Sequence, residues 1–220
     1  MTGILSVDQV FLTVLGYPMS YIEFFGTVLY LWSVWLITKR HMLTWPVGIV
    51  SVLLYMALFY QIQLYSDTLE QVYYLGTSVY GWWHWSGSAR DRRVVTDVRY
   101  GSVRVILLTV LLTAVLAAAD GALVSRIHLI WPSMFPREAS YPYIDALTTI
   151  MSFTAMWLMA RKRIESWIYW IIVDLIGIWL YYVKEVRFVA LLYVILLIMA
   201  TRGLILWNTA YRTNGGEING

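Results

Sequence analysis

Seven long apolar stretches constrain this chain more than any other feature. They cover residues 21–37, 45–64, 68–85, 103–124, 144–160, 166–183 and 188–207, and most hold one charge or none. Each approaches the ~20 residues that an α-helix needs to cross a bilayer at 1.5 Å per residue. Hydrocarbon offers the backbone no hydrogen-bond partners, so a stretch of this kind must satisfy its own polar groups as a helix. Only 13% of the residues are charged, where a soluble domain carries about 25%. The 12 Trp and 17 Tyr suit a protein with two membrane–water interfaces. The expected fold class is therefore an all-α integral membrane protein with seven transmembrane helices.

The remaining segments are short. Residues 1–20 show no basic n-region and no cleavable signal. Ile4, Val7, Phe11 and Val14 recur at helical spacing, which predicts a short interfacial helix. The two longest connections, 86–102 and 125–142, flank the fourth stretch. The first is basic, and the second holds three of the five prolines. The loops on one side of the membrane, counted with the C-terminal segment, carry 12 Lys and Arg, and the opposite loops carry 4. The richer side belongs in the cytoplasm, which predicts the N-terminus outside and the C-terminus inside. The net charge of +3 is thus read as topogenic charge rather than as a nucleic-acid surface.

Sliding the chain by 122 residues aligns it with itself. Tyr21 meets Tyr143, Glu23 meets Asp145, Thr27 meets Thr149 and Trp35 meets Trp157. The basic pair Lys39-Arg40 meets Arg161-Lys162, and Trp45 meets Trp167. Gly81 meets Gly203, and Trp85 meets Trp207. Self-similarity at a fixed offset marks duplication. Each copy holds three spans, and the extra fourth span restores the direction of the second copy. This predicts a 3+1+3 parallel repeat: an extracytoplasmic segment 1–20, a first three-helix repeat 21–85, a linker with the fourth helix 86–142, a second repeat 143–207 and a cytoplasmic tail 208–220. Parallel repeats about an axis along the membrane normal are a transporter architecture, with substrate near the midplane.

A carboxylate within a span is rare and functional by default. Asp174 lies about 12 Å into its span, at 1.5 Å per residue. Trp167, Trp170 and Asp174 stand at i, i+3 and i+7, so one helix face carries two indoles and an acid. Indoles stack flat cations, and a buried carboxylate requires protonation or a positive partner. A cationic heteroaromatic ligand satisfies all three. The structural alternatives are an interface-belt role for Trp167 (and for its counterpart Trp45), packing for Trp170, and pairing of Asp174 with a nearby Tyr or Lys. The counterparts of Trp170 and Asp174 are Gly48 and Val52, so the first copy lacks this face. The third span instead offers Gln71, Tyr74 and Ser78, whose counterparts are Tyr193, Leu196 and Ala200. An asymmetric substrate site between spans three and six is the expectation. A second stripe, Asp145, Thr148, Thr149 and Ser152, mirrors Glu23, Gly26, Thr27 and Tyr30. Its acids, near the outer ends of their spans, attract a cation or sit at helix N-termini.

Enzyme signatures are missing from the sequence. It has no cysteine, no phosphate loop, no HExxH pair and no GxSxG elbow, and His41, His84 and His128 are scattered. No catalytic residue, metal or cofactor is expected. A membrane enzyme or a ligand sensor remains the competing class.

Several runs carry a resemblance: Trp45-Pro46-Val47-Gly48-Ile49, Leu64-Tyr65-Ser66-Asp67, Gln71-Val72-Tyr73, Tyr80-Gly81-Trp82-Trp83-His84-Trp85, Trp167-x-x-Trp170-x-x-x-Asp174 and Leu180-Tyr181-Tyr182-Val183-Lys184. Over residues 21–207 the chain resembles the PnuC family of bacterial vitamin transporters. The resemblance implies a SWEET-like 3+1+3 bundle in the bacterial inner membrane. It also implies facilitated diffusion of an unphosphorylated vitamin, trapping by a cytoplasmic kinase, and a homotrimer among membrane lipids. Trp167, Trp170 and Asp174 match the family's substrate motif, and Gln71 matches the glutamine of its third span. Nicotinamide riboside members have Asn where this chain has Asp174, so the resemblance points first to a thiamine-type (PnuT) substrate and second to nicotinamide riboside.

Overall fold

The computed structural model describes residues 5–14, 16–87, 97–130 and 140–217, with side chains as far as residue 213. The chain begins with an antiparallel hairpin of β1 (Val10–Val14) and β2 (Tyr17–Ser20). Among the described residues seven helices follow: α1 (Tyr21–Thr38), α2 (Thr44–Gln61), α3 (Tyr65–Ser86), α4 (Val103–Ile130), α5 (Pro142–Ala160), α6 (Ser166–Val183) and α7 (Arg187–Glu217). Six of them are long and apolar enough to cross a membrane. The exception, α3, has 22 residues and length to spare, but Asp67, Glu70, Gln71 and Ser78 lower its hydropathy.

The hairpin replaces the interfacial helix expected near the N-terminus. Gly16 takes φ +83° at the turn, and Pro18 drives Tyr17 toward extended backbone. The β-branched Val10, Thr13 and Val14 then favour strand. Ile4, the first position of the expected periodicity, lies outside the described residues. Helix α7 also departs from expectation, since it continues through the segment read as a tail to Glu217.

The helices pack in a closed order: α1 on α2, α2 on α3, α3 on α5, α5 on α6, α6 on α7, and α7 back on α1. Helix α4 packs on α5 through a narrow stripe of Thr113, Ala117 and Gly121. Small residues spaced four apart let two helices approach closely in lipid, and Thr113 Oγ1 meets Thr154 Oγ1 at 2.9 Å. Elsewhere α4 turns large apolar side chains such as Leu107, Leu108, Leu111 and Leu112 outward.

Element ends recur at the offset of 122. Helix α6 starts and stops 122 residues after α2, and α7 starts 122 after α3. Four non-glycine residues adopt positive φ: Arg40 and Lys162, Gln63 and Glu185, again 122 apart. Each closes a helix by the same left-handed stop, in which the next N–H reaches back a turn, as His41 N to Leu36 O at 3.0 Å and Arg163 N to Leu158 O at 2.9 Å.

Candidate functional site

Two floors of the bundle position the candidate side chains. The lower one is a tryptophan cluster at the end that carries the basic α1–α2 and α5–α6 loops. Trp45 of α2 packs edge-on to Trp85 of α3 at 5.2 Å, and Trp167 of α6 packs edge-on to Trp207 of α7 at 5.5 Å. Trp85 and Trp207 join the two pairs at 5.9 Å. Glycine makes this packing fit: a Cβ at Gly203 would stand 2.6 Å from the Trp167 ring, and Gly81 admits Trp45 in the same manner. Trp85 Nε1 donates to Ala160 O at 3.0 Å, and Trp207 Nε1 donates to Ile37 O at 2.9 Å. Helix α3 is thereby fastened to α5, and α7 to α1.

This cluster overturns the interface-belt reading of Trp45 and Trp167, which are 2% and 1% exposed. Belt tryptophans face lipid headgroups, whereas these rings pack edge-on to Trp85 and Trp207 within a buried cluster. The Nε1 atoms of both are buried without a partner among the described residues.

Segment 97–102 covers the cluster from one side. Arg99 N donates to Lys162 O, and Ile164 N donates to Arg99 O, so a short bridge ties this segment to the α5–α6 loop. Lys162 Nζ meets Asp97 Oδ2 at 2.8 Å. Gly101 N donates to Glu165 Oε1 at 2.8 Å, and Arg163 Nη1 donates to Tyr100 O at 2.8 Å. Burial lowers the proton affinity of Arg163. Val98, Ile164, Trp85 and Trp207 are all buried here, so this end of the bundle is packed shut.

The upper floor lies one to two turns above. Trp170 is half-buried and borders the tryptophan cluster. Asp174 is 3% exposed, and its carboxylate has no hydrogen bond or ion pair with a described residue. Lys184 Nζ lies 3.9 Å from Asp145 Oδ1. Within electrostatic reach of Asp174 are the hydroxyls of Tyr30 on α1 and Tyr193 on α7. Tyr30 and Tyr193 in turn sense Tyr74 of α3, whose hydroxyl faces Ser152 of α5. Tyr30 and Tyr74 are surrounded by protein yet keep part of their surface accessible. This region, ringed by α1, α3, α5, α6 and α7, is the candidate lumen.

Of the six expected site residues, Trp170, Asp174 and Tyr74 share this region. Gln71 is half-buried one turn from Tyr74, and Ser78 is 1% exposed, three residues before the Gly81 contact. Trp167 sits lower, within the tryptophan cluster. Tyr30 and Tyr193 were not among the candidates, although both stood at 122-residue counterparts of candidate positions (Ser152 and Gln71).

The second polar stripe is divided among separate tasks. Thr149 Oγ1 donates to Glu70 Oε1 at 3.1 Å, which joins α5 to α3. Thr148 bonds carbonyls of its own helix. Ser20, rather than Glu23, caps α1, and Glu23 accepts from Tyr17 Oη at 2.8 Å. An apolar cavity of about 170 Å³ lies at the α1–α7 seam beside the hairpin, lined by Phe24, Val28, Leu31, Phe188 and neighbours. It has almost no polar lining to orient a cation.

A family model described as nicotinamide mononucleotide transporter matches residues 20–209. The chain belongs to the PnuC family. Its relatives include the nicotinamide riboside transporter PnuC of Escherichia coli (strain K12), 28% identical over 219 residues, covering 92% of this chain and 91% of that one. The riboflavin/roseoflavin transporter RibM of Streptomyces davaonensis is 28% identical over 170 residues, 77% of this chain and 76% of that one. A crystal structure of the vitamin B3 transporter PnuC has the same fold, with a TM-score of 0.65 at 21% identity, covering 88% of this chain and 83% of that one. PnuC proteins are vitamin transporters, and this member is a multi-pass protein of the bacterial inner membrane.

Proposed function

We propose that this chain takes up an unphosphorylated, flat and cationic vitamin by facilitated diffusion. The observation that carries the reading is Asp174: a carboxylate 3% exposed, with no protein partner among the described residues, next to the half-buried Trp170. An isolated buried carboxylate is costly in low dielectric, and a bound cation removes that cost. Nicotinamide riboside stands first, because its pyridinium suits Asp174 and Trp170, and because a relative that spans nearly the whole chain carries that name. Thiamine, the first expectation from Asp174, becomes the second reading. A mononucleotide fits less well. Its phosphate calls for Lys or Arg, and the helices around the lumen carry no basic residue within their apolar stretches apart from Arg202, which is exposed.

The proposal extends to the whole bundle. All seven helices, α3 included, span the membrane as a duplicated 3+1+3 arrangement, with the N-terminus outside and the C-terminus in the cytoplasm. The matching helix ends and left-handed stops at offset 122 support the duplication. The closed tryptophan floor then stands on the cytoplasmic side, and transport requires the two halves to rock about the lumen. A cytoplasmic kinase traps the substrate. The protein is not itself an enzyme, and it assembles as a homotrimer among lipids.

The test is equilibrium binding of purified protein to nicotinamide riboside, thiamine, riboflavin and a deoxynucleoside in parallel, followed by flux into liposomes. Binding and flux of nicotinamide riboside are expected. Binding without flux would make the protein a sensor. Asp174→Asn is expected to weaken the cationic ligand about 10- to 100-fold, the scale of a lost charged contact; unchanged affinity would remove Asp174 from the site.

A further inference from the structure

Helix α6 carries Asp174 and Gly177 three residues apart, and therefore on one face. The ring of Tyr193 from α7 lies directly on Gly177. A Cβ at position 177 would stand 2.5 Å from both Cδ1 and Cε1 of Tyr193, closer than any side chain tolerates. One turn further along α6, Tyr181 stacks on the same ring, with centroids 5.4 Å apart and planes at 19°. Two residues of α6 thus grip one aromatic ring of α7 and leave it little rotational choice. The grip sits one helical turn from Asp174 on the same face of α6.

The comparison at offset 122 gives this contact a meaning beyond packing. Tyr193 occupies the α7 position that corresponds to Gln71 of α3, and Gly177 occupies the α6 position that corresponds to Tyr55 of α2. In the first half the bulky ring grows from α2 itself, lies near Gly26 of α1, and bonds Thr27 Oγ1 through its hydroxyl at 2.7 Å. In the second half the ring comes from α7, and α6 has the glycine that receives it. Tyr193 keeps part of its surface accessible, and no hydrogen bond to a described residue occupies its hydroxyl. A ring held on two sides, whose hydroxyl bonds no described residue, one turn along from a buried carboxylate, is placed to serve as a polar wall for a ligand.

We infer that Tyr193, held by Gly177 and Tyr181, is a specificity-determining residue of the lumen: together with Asp174 it selects ligands that carry a hydroxylated arm on their flat cationic ring. The inference rests on the uptake reading above and adds the second half of the ligand to it. Asp174 and Trp170 recognise the charged ring. Tyr193 donates to a hydroxyl of the ribosyl or hydroxyethyl arm, and Asp174 accepts from a hydroxyl.

Two ligands with the same ring separate these roles. Nicotinamide riboside has the pyridinium and the ribose, whereas 1-methylnicotinamide has the pyridinium alone. Dissociation constants are measured by calorimetry on full-length wild type, Tyr193→Phe and Gly177→Ala. Tyr193→Phe keeps the ring and loses the hydroxyl. It is expected to weaken nicotinamide riboside about 5- to 10-fold, the scale of one hydrogen bond, and to leave 1-methylnicotinamide within about 2-fold of its wild-type value on the same scale. Gly177→Ala changes no polar group but displaces the ring, and is expected to weaken both ligands. If the wild type prefers thiamine, the same comparison is made between thiamine and its analogue without the hydroxyethyl arm. Wild type that binds while Tyr193→Phe loses nothing, or loses equally for both ligands, overturns the specificity role alone. Wild type that binds none of these ligands overturns the uptake reading, and this inference with it. Tyr193→Phe is nearly isosteric, so the test does not depend on whether Gly177→Ala folds.

Discussion

Burial separates the aromatic residues of this chain into distinct roles. Trp45, Trp85, Trp167 and Trp207 are at most 2% exposed, and their rings rest on glycines and on each other. Trp170 is only half-buried and adjoins Asp174. Truncation should therefore act differently along one helix. Gly203→Ala would force its Cβ to within 2.6 Å of the fully buried Trp167 ring, and overpacking of this kind costs about 1–3 kcal/mol. It is expected to lower the thermal stability of the purified protein while any remaining folded fraction binds ligand normally. Trp45→Ala should likewise act through stability, because a buried indole replaced by Ala costs about 3–5 kcal/mol. Trp170→Ala should weaken binding with a smaller loss of stability. Melting curves recorded with and without ligand distinguish these outcomes; a Gly203→Ala protein that melts like wild type would show that the cluster repacks.

At the scale of elements, the N-terminal hairpin is a strap and not a membrane-surface helix. The Tyr17 ring stacks on Phe188 of α7 at 5.3 Å and 3°, while its hydroxyl donates to Glu23 of α1 at 2.8 Å. One side chain thereby bridges the α1–α7 seam, where the two halves of the bundle meet. Burial, and then the Glu23 hydrogen bond and charge, push the Tyr17 hydroxyl up to about 12. A raised acid stabilises the docked strap in full below the ordinary tyrosine range near 10 and loses that contribution as pH rises through about 12. Hydrogen exchange of the β1 amides is thus expected to be insensitive to this group up to about pH 10 and to accelerate above it. Tyr17→Phe should remove the step. A step that persists in Tyr17→Phe would assign it to another group. At the opposite end, segment 97–102 binds the α5–α6 loop through Asp97, Gly101 and the Arg99 backbone, whereas the α1–α2 loop has a buried Arg40 Nε without a partner among the described residues. The two ends that look alike in sequence are thus anchored differently.

For the molecule as a whole, the proposed function is uncoupled uptake through a site of tyrosines and one acid that has no partner among the described residues. Among the described residues no group of His, Asp and Glu could hold a metal ion, and the sequence has no nucleotide-binding loop. Liposomes containing the protein should accumulate labelled vitamin only to the external concentration. Ionophores that collapse proton or sodium gradients should not change the final level, and an enclosed kinase with ATP should raise it. Uptake above the external level without a kinase would show coupling and end the facilitated-diffusion reading.

The amino-acid pattern by itself determined that this is a helical membrane protein, because seven nearly uncharged stretches leave the backbone no other way to satisfy its polar groups. Most helix ends were legible to within a few residues. They were missed at α4, which continues through Arg126 to Ile130, at α7, which runs on through polar residues to Glu217, and at the N-terminus, where one positive-φ glycine and a proline outweighed a helical periodicity. Asp174 and Trp170 were legible as candidates because an acid in an apolar helix is costly. Only the tertiary structure decided that Trp45 and Trp167 turn inward, since spacing gives a residue's face but not what lies opposite that face. It alone laid the Tyr193 ring on Gly177, one turn from Asp174, because tyrosine is common at lipid interfaces and its ring contacts cannot be read from its spacing. The grip of Gly177 and Tyr181 on Tyr193 is a contact between neighbouring helices. Its geometry depends on how closely two backbones approach, which no single helix encodes.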